Sequence, residues 1–277
     1  MNRLPLAGRA QIVALLVEGN GINAICRITG VAKNTVLKLL ADLGEGCQAY
    51  HDEHVHDLKC ERIQCDEIWS FCYARAKNLP FEKRFKFGYG DVWTWTAIDA
   101  DSKLAIGWYV GRRDAHSGSI FMEDVAARLA HRVQLTTDGH HAYLYAVWNA
   151  FHHEIDYAML QKIYGVANPE APGRASLPQC VGTKKNVVEG NPDPAFINTS
   201  YVEKQNQTMR QSMRRFTRLS AGHSKKVENH IHAVAVHFMH YNFGRLNQAL
   251  GKNTTPAMAV GLTDKPWTLD QIAALSN

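Results

Sequence analysis

The sequence predicts an α/β protein, a mixed sheet flanked by helices and preceded by a small all-helical unit. Three observations support this. The first 43 residues carry apolar positions at helical spacing between glycines, residues 61–164 alternate strand-like and helix-like runs, and residues beyond 200 return to helical periodicity. A chain of 277 residues with 45% hydrophobic and 21% charged residues has room for a full core and is far from the composition of disordered chains.

The elements follow in order. Ile12, Leu15 and Leu16 mark a first helix, residues 22–28 a second, and Val36, Leu37, Leu39 and Leu40 a third. The run from Ile22 through Gly30 into Ala32-Lys-Asn-Thr-Val-Leu-Lys-Leu-Leu has the form of a helix-turn-helix. Gly30 permits the tight turn, and the second helix presents Lys33, Asn34, Thr35 and Lys38 as groove-facing polar residues. Residues 1–45 are therefore expected to form one domain. Residues 46–60, polar and rich in His and acids, read as a linker.

A second domain is expected over 61–250. Arg62-Ile-Gln-Cys-Asp-Glu-Ile-Trp-Ser-Phe-Cys-Tyr is its first strand, residues 77–86 are basic and turn-like, and residues 91–99 and 104–110 form a hairpin. A helix over 117–130, a strand over 132–138, a helix over 142–151 and a strand over 154–164 complete a mixed sheet. Residues 165–199 hold five of the nine prolines and four glycines and read as a long irregular segment. One long helix is expected from Ser200 through 218, another over 226–250, and a tail over 251–277.

Net charge is only +5, but it is unevenly placed: residues 204–226 hold Lys204, Arg210, Arg214, Arg215, Arg218, Lys225 and Lys226 with no acid. Residues 1–43 carry five Lys/Arg against Glu18 and Asp42. Two separated basic regions suggest a polyanion contacted at two places, the alternative being a solvated helix face. No apolar run is long enough for a membrane span or a secretory signal, which places the chain in the cytoplasm without a membrane partner. The six cysteines are too sparse and uneven for a disulfide framework and are expected to be reduced thiols.

Three acids sit where such a fold would gather them. Asp66 lies in the first strand, Asp138 ends the fourth, and Glu203 opens the basic helix. If those strands are neighbours and the helix packs across their ends, the three carboxylates converge, and crowded carboxylates call for a cation between them. Mg²⁺ prefers such oxygen ligands, and a pair of such sites suits phosphodiester chemistry. Each acid taken alone is an ordinary strand-end or helix-start residue, Glu203 being favoured there by the helix dipole as well.

Cys65-Asp-Glu-Ile-Trp-Ser-Phe, Leu135-Thr-Thr-Asp-Gly-His-His-Ala-Tyr and Tyr201-Val-Glu-Lys-Gln-Asn-Gln-Thr-Met-Arg, with Tyr241-Asn-Phe and Thr255-Pro-Ala-Met-Ala-Val-Gly-Leu near the end, resemble the DDE transposases of bacterial insertion sequences, specifically the insertion-sequence-one type. The resemblance implies an RNase H-like core, catalytic and metal-binding roles for Asp66, Asp138 and Glu203, and Mg²⁺ or Mn²⁺ as two ions with DNA bound. It also implies a basic residue seven positions after the Glu, where Arg210 stands. The expected activity is metal-dependent cleavage at insertion sequence ends and strand transfer into target DNA. The partners are double-stranded DNA, as terminal inverted repeats and target, and further copies of the chain on it. Lys33, Asn34, Thr35, Lys38, Lys204, Arg210, Arg214, Arg215 and Arg218 are the expected DNA contacts. The alternatives are an RNase H-like nuclease or resolvase without strand transfer and a non-catalytic helix-turn-helix regulator.

Four further groups have plainer explanations. Cys47, His51, His54, His56, Cys60 and Cys65 are of zinc-binding types, but their spacing matches no standard zinc pattern. His140 and His141 follow the second acid as exposed turn residues would, although their proximity to it leaves a functional role open. His230, His237 and Tyr241 recur at helical spacing as a packed face. Trp69, Trp93, Trp95 and Trp108 fall in strands as core or sheet-face residues.

Overall fold

Strand β1 (Arg62–Cys72) buries Ile63 and Cys65 on one face and Gln64, Ile68 and Ser70 on the other. A strand buried on both faces belongs inside a sheet covered on both sides. In the computed structural model, which describes residues 3–165, 180–217 and 221–276, it lies there. Beside β1 are β2 (Gly90–Asp99), β3 (Ala105–Gly111), β4 (Gln134–Asp138), β5 (Asp156–Tyr164) and β6 (Cys180–Glu189). Together they form one six-stranded sheet in the order β3-β2-β1-β4-β5-β6. The β1–β2 and β2–β3 pairs are antiparallel, β1–β4 and β4–β5 parallel, and β5–β6 antiparallel. This is the mixed sheet of an RNase H-like core with one strand added at its edge.

Three helices come first, α1 (Leu6–Val17), α2 (Ile22–Thr29) and α3 (Lys33–His54). Gly30 ends α2 in the left-handed region, at φ 70°, which is the turn a helix-turn-helix requires. Helices α4 (Ala115–Ala127) and α5 (Ala142–Phe151) cover one face of the sheet, where Trp95 meets the rings of Phe121 and Tyr143. Helices α6 (Ser200–Ser212) and α7 (Val227–Met239) cover the other. Gln64 of β1 pins the start of α6 there, its Oε1 accepting from the Tyr201 and Val202 N–H groups at 2.8 and 3.2 Å. These are orphan donors of a helix N-terminus, satisfied by a strand side chain.

Several expectations need correction. Residues 46–60 are not a linker: α3 runs unbroken to His54, with Leu40, Leu43, Cys47 and His51 all buried along it. His51 belongs to that stripe because its Nε2 reaches the Ile106 carbonyl at 2.9 Å and burial pulls its pKa down to about 3, leaving a neutral ring. Helix α3 is fixed to α7 at Gly44, where an added Cβ would lie 2.3 Å from His232 Cβ.

The tail is also ordered into the fold. It forms α8 (Pro256–Ala259) and α9 (Leu269–Ala274), and Arg9 of α1 donates to the Ala273 carbonyl and to Ser276 Oγ at 3.2 and 2.7 Å. Segment 165–199 is not wholly irregular, since β6 pairs along β5 within it; residues 166–179 lie outside the described part. The helix expected over 226–250 stops at Met239 and widens into a π turn over His240–Gly244. There the buried Asn242 side chain both accepts from Ala105 N and donates to Ala105 O, each at 2.9 Å, locking the turn to β3.

Candidate active site

Parallel pairing of β1 with β4 runs from Arg62↔Gln134 to Cys65↔Thr137, which sets the next residues, Asp66 and Asp138, together at the end of β4. Asp138 is held by a tight turn, its Oδ1 accepting from His140 N at 2.9 Å. Asp66 accepts from Glu67 N at 2.9 Å and, across to α6, from the Asn206 amide at 2.8 Å. Asp66, Asp138 and Glu67 place their ligand atoms within 4.8 Å of one another. Among the described residues no other group of three or more His, Cys, Asp or Glu gathers in this way. The Cys/His set between 47 and 65 does not gather its ligand atoms in this way, and all six cysteines are free thiols.

Glu67 was missed from sequence because neighbours in a strand point to opposite faces. It turns toward α5, where Tyr143 Oη donates to its Oε2 at 3.1 Å, and Arg113 Nε reaches its Oε1 at 2.6 Å. The same guanidinium lies 3.6 Å from Asp138. Arg113 gave no signal beyond an Arg-Arg pair closing a strand.

The electrostatics are those of acids in want of a cation. Burial, then the charges of Glu67 and Asp138, push Asp66 up to about 7, partly opposed by the Glu67 backbone N–H. Burial and Asp138 also raise Glu67, partly offset by Arg113 and Tyr143. Two polar atoms beside the cluster, His140 Nε2 and Asn206 Oδ1, have no hydrogen-bond partner among the described residues. Burial and then Arg113 lower the His140 pKa; its Nδ1 accepts from Ala142 N at 3.2 Å, so the neutral ring carries its proton on Nε2, which lies 3.9 Å from Glu67 Oε1. An oxygen-rich, charge-crowded pocket with a spare amide oxygen on Asn206 fits a divalent cation.

The third acid of the sequence pattern is nearby but not in this group. Glu203, half-buried on the first turn of α6, accepts from Thr199 Oγ1 at 2.6 Å and pairs with Lys162 of β5 at 2.5 Å. Its charge is still close enough to raise Asp66.

The expected DNA contacts divide. Lys33, Asn34, Thr35 and Lys38 are exposed on α3, Lys38 being paired with Asp42. Lys204 is exposed and Arg210 half-buried on α6. The helix expected from Ser200 through 218 is shorter: α6 ends at Ser212 and Met213 turns extended, because Met213 and Phe216 are drawn into the core. Arg214 is exposed and borders a cleft of about 500 Å³ between α2–α3 and residues 213–215 and 221–226, with Arg27, Lys33, His223, Lys225 and Lys226. Arg215 is not a free phosphate contact; it donates to buried Ser224 Oγ at 2.8 Å, and burial draws its pKa down to about 10. Arg218 lies outside the described residues. His230 and His237 are buried, as a packed face predicts.

Residues 3–43 match the helix-turn-helix domain of resolvase. No curated protein matches the chain. Among solved structures, a chain of the crystal structure of the Mos1 strand transfer complex aligns at 12% identity with a TM-score of 0.25, over 57% of this chain and 59% of that one. Among the described residues no helix is long and apolar enough to cross a membrane.

Proposed function

We propose that this protein is a DNA transposase of the insertion sequence type, cutting DNA at element ends and joining the freed end to target DNA. The observation that carries the proposal is the packing of Asp66, Asp138 and Glu67 within 4.8 Å at the end of β4, in a chain that also carries a helix-turn-helix. In this reading Asp66 and Asp138 would hold a shared Mg²⁺ or Mn²⁺, and Glu203 would complete a second site. A divalent ion there supplies nucleophile activation and stabilisation of the leaving oxygen in phosphodiester cleavage.

The chain's own groups supply the rest. Asn206 fixes the rotamer of Asp66, the Asp138 turn fixes the second carboxylate, and Arg113 neutralises Glu67 so that the cluster is not triply repulsive. The face of α3 bearing Lys33, Asn34, Thr35 and Lys38 would read the inverted repeat, and Lys204, Arg210 and Arg214 would hold phosphates. Domain roles follow: residues 1–45 for recognition, 61–250 for catalysis.

The test is cleavage and joining with linear DNA carrying the sequences that flank the coding region. Wild-type protein should release 3′-hydroxyl ends in Mg²⁺ and join them to a plasmid. Asp66→Asn and Asp138→Asn should each lose at least ~10³ in rate while still binding the ends. Cleavage without joining would favour a nuclease or resolvase. End binding without cleavage would favour a regulator.

A further inference from the structure

On the face of the sheet that carries Glu67, α4 and α5 stop at Trp95, whose ring they cover. Outward from there the chain after β1 supplies only two 3₁₀ turns, Ala76–Asn78 and Phe81–Lys83, in place of an α-helix. Trp69 and Phe71 follow Glu67 at every second residue, and Trp93 stands opposite Trp69 in the β1–β2 register; all three are half-buried. Cations are interleaved with these rings. The Arg113 guanidinium lies 4.9 Å from the Trp93 ring centre, and Arg75 lies 5.9 and 5.7 Å from those of Trp69 and Phe71. Lys83 continues the pattern over Tyr73 at 3.9 Å. Beyond it, Phe81 and Phe85 are 74% and 78% exposed, and the Phe85 carbonyl is tied to Arg112, the neighbour of Arg113. His223 stacks on Phe71; the acids on this stretch are Asp91, which accepts from the Ala76 N–H, and Glu82 beside Lys83.

Three half-open rings alternating with guanidinium and ammonium groups are not needed to fill a core. Single-stranded nucleic acid does need this: rings on which bases stack, and cations that track the backbone. The strip begins at Arg113, the residue that also touches Glu67 and Asp138, and runs about 13 Å along β1 at ~3.3 Å per residue. We infer that the outer half of the β1–β2 ladder is a stacking platform for unpaired DNA bases, with Trp93, Trp69 and Phe71 as the rings and Arg113, Arg75 and Lys83 as the backbone contacts. This rests on the reading of the chain as a DNA-cutting enzyme. It specifies that DNA enters the acidic cluster with its strands locally separated.

The test compares the full chain's affinity for a blunt duplex and for the same duplex with a short single-stranded tail, the tail carrying 2-aminopurine. The tail should raise affinity about tenfold or more, and binding should quench the 2-aminopurine through stacking. Trp69→Leu and Trp93→Leu should each remove about fivefold or more of that gain and leave blunt-duplex affinity unchanged, while Trp69→Phe keeps most of it. A tail without benefit or quenching in the wild type, or leucine variants that weaken both DNAs alike, would overturn the platform. Binding to the tail with none to duplex would uphold it and sink the duplex-recognition reading. Binding to neither would remove both.

Discussion

Lys162 of β5 and Glu203 of α6 form an ion pair of 2.5 Å that holds the Glu203 carboxylate outside the cluster made by Asp66, Glu67 and Asp138. A cation arriving at Asp66 competes with Lys162 for that carboxylate. Removing the lysine should therefore tighten Mg²⁺ binding by up to ~5-fold, the range of a partly exposed ion pair, and Glu203→Gln should weaken it. Isothermal titration of Lys162→Met and Glu203→Gln checks this; unchanged affinity in both would leave Glu203 no part in the metal site.

Glu67 is expected to matter beyond its charge. Glu67→Gln leaves Arg113 without its closest counter-charge, and the guanidinium should then shift toward Asp138. Cleavage should fall by roughly 10- to 100-fold, and Arg113→Ala should restore part of the loss in the double variant. Single-turnover rates on end DNA would show it; independent, additive losses would contradict the coupling.

Arg214 and Arg215 should separate cleanly although adjacent. Arg214→Ala is expected to reduce the slope of log K against log salt by about 1 without affecting stability. Arg215→Ala should leave that slope intact and destabilise the fold by ~1–3 kcal/mol, since buried Ser224 loses a partner. Salt-titrated binding and urea denaturation of the two variants decide the matter.

Stability should also fall in mild acid. Burial, helped by nearby positive charge, pulls His230 and His237 down to about 3. In the unfolded chain they titrate near ~6.5, so between these values the unfolded state binds more protons and gains on the folded one. The stability they contribute is complete above ~6.5 and is lost as pH drops toward 3, at about 2 kcal/mol per histidine by pH 5. His237→Gln should flatten the curve between pH 7 and 5; an unchanged slope would argue against a buried neutral ring.

At Gly44 packing and propensity oppose one another. Alanine is the better helix former by about 1 kcal/mol, yet its Cβ would collide with His232. We expect Gly44→Ala to cost ~2 kcal/mol net, a fall of about 4–8 °C in Tm by calorimetry. A rise would mean the α3–α7 crossing is looser than described.

What was legible in the sequence follows from periodicity. Asp66 and Asp138 could be paired because one lies in a strand and the other ends a strand before Gly139, and α5 was readable from its apolar spacing. β6 was hidden because most of its residues are exposed, so no in-out alternation survives, and because prolines and glycines surround it. The second half of α3 was hidden because its stripe is completed by His51, which counts as polar until its neutral, buried state is seen. Glu67 and Arg113 depend on contacts between distant elements, which no local pattern encodes.

The unbroken α3 has a mechanical consequence. It carries Lys33 and Asn34 at one end, and at Gly44 and Gly46 it lies so tightly against α7 and Leu275 that no side chain fits between. Its 22 residues make a rod of about 33 Å bolted to the body that carries the sheet. For a chain that reads DNA with the free end of that rod, the distance from the bases read to the bond cut is a property of the protein, as on a caliper. One base pair inserted between them would turn the groove by roughly 35° and present the wrong phosphate to Asp66.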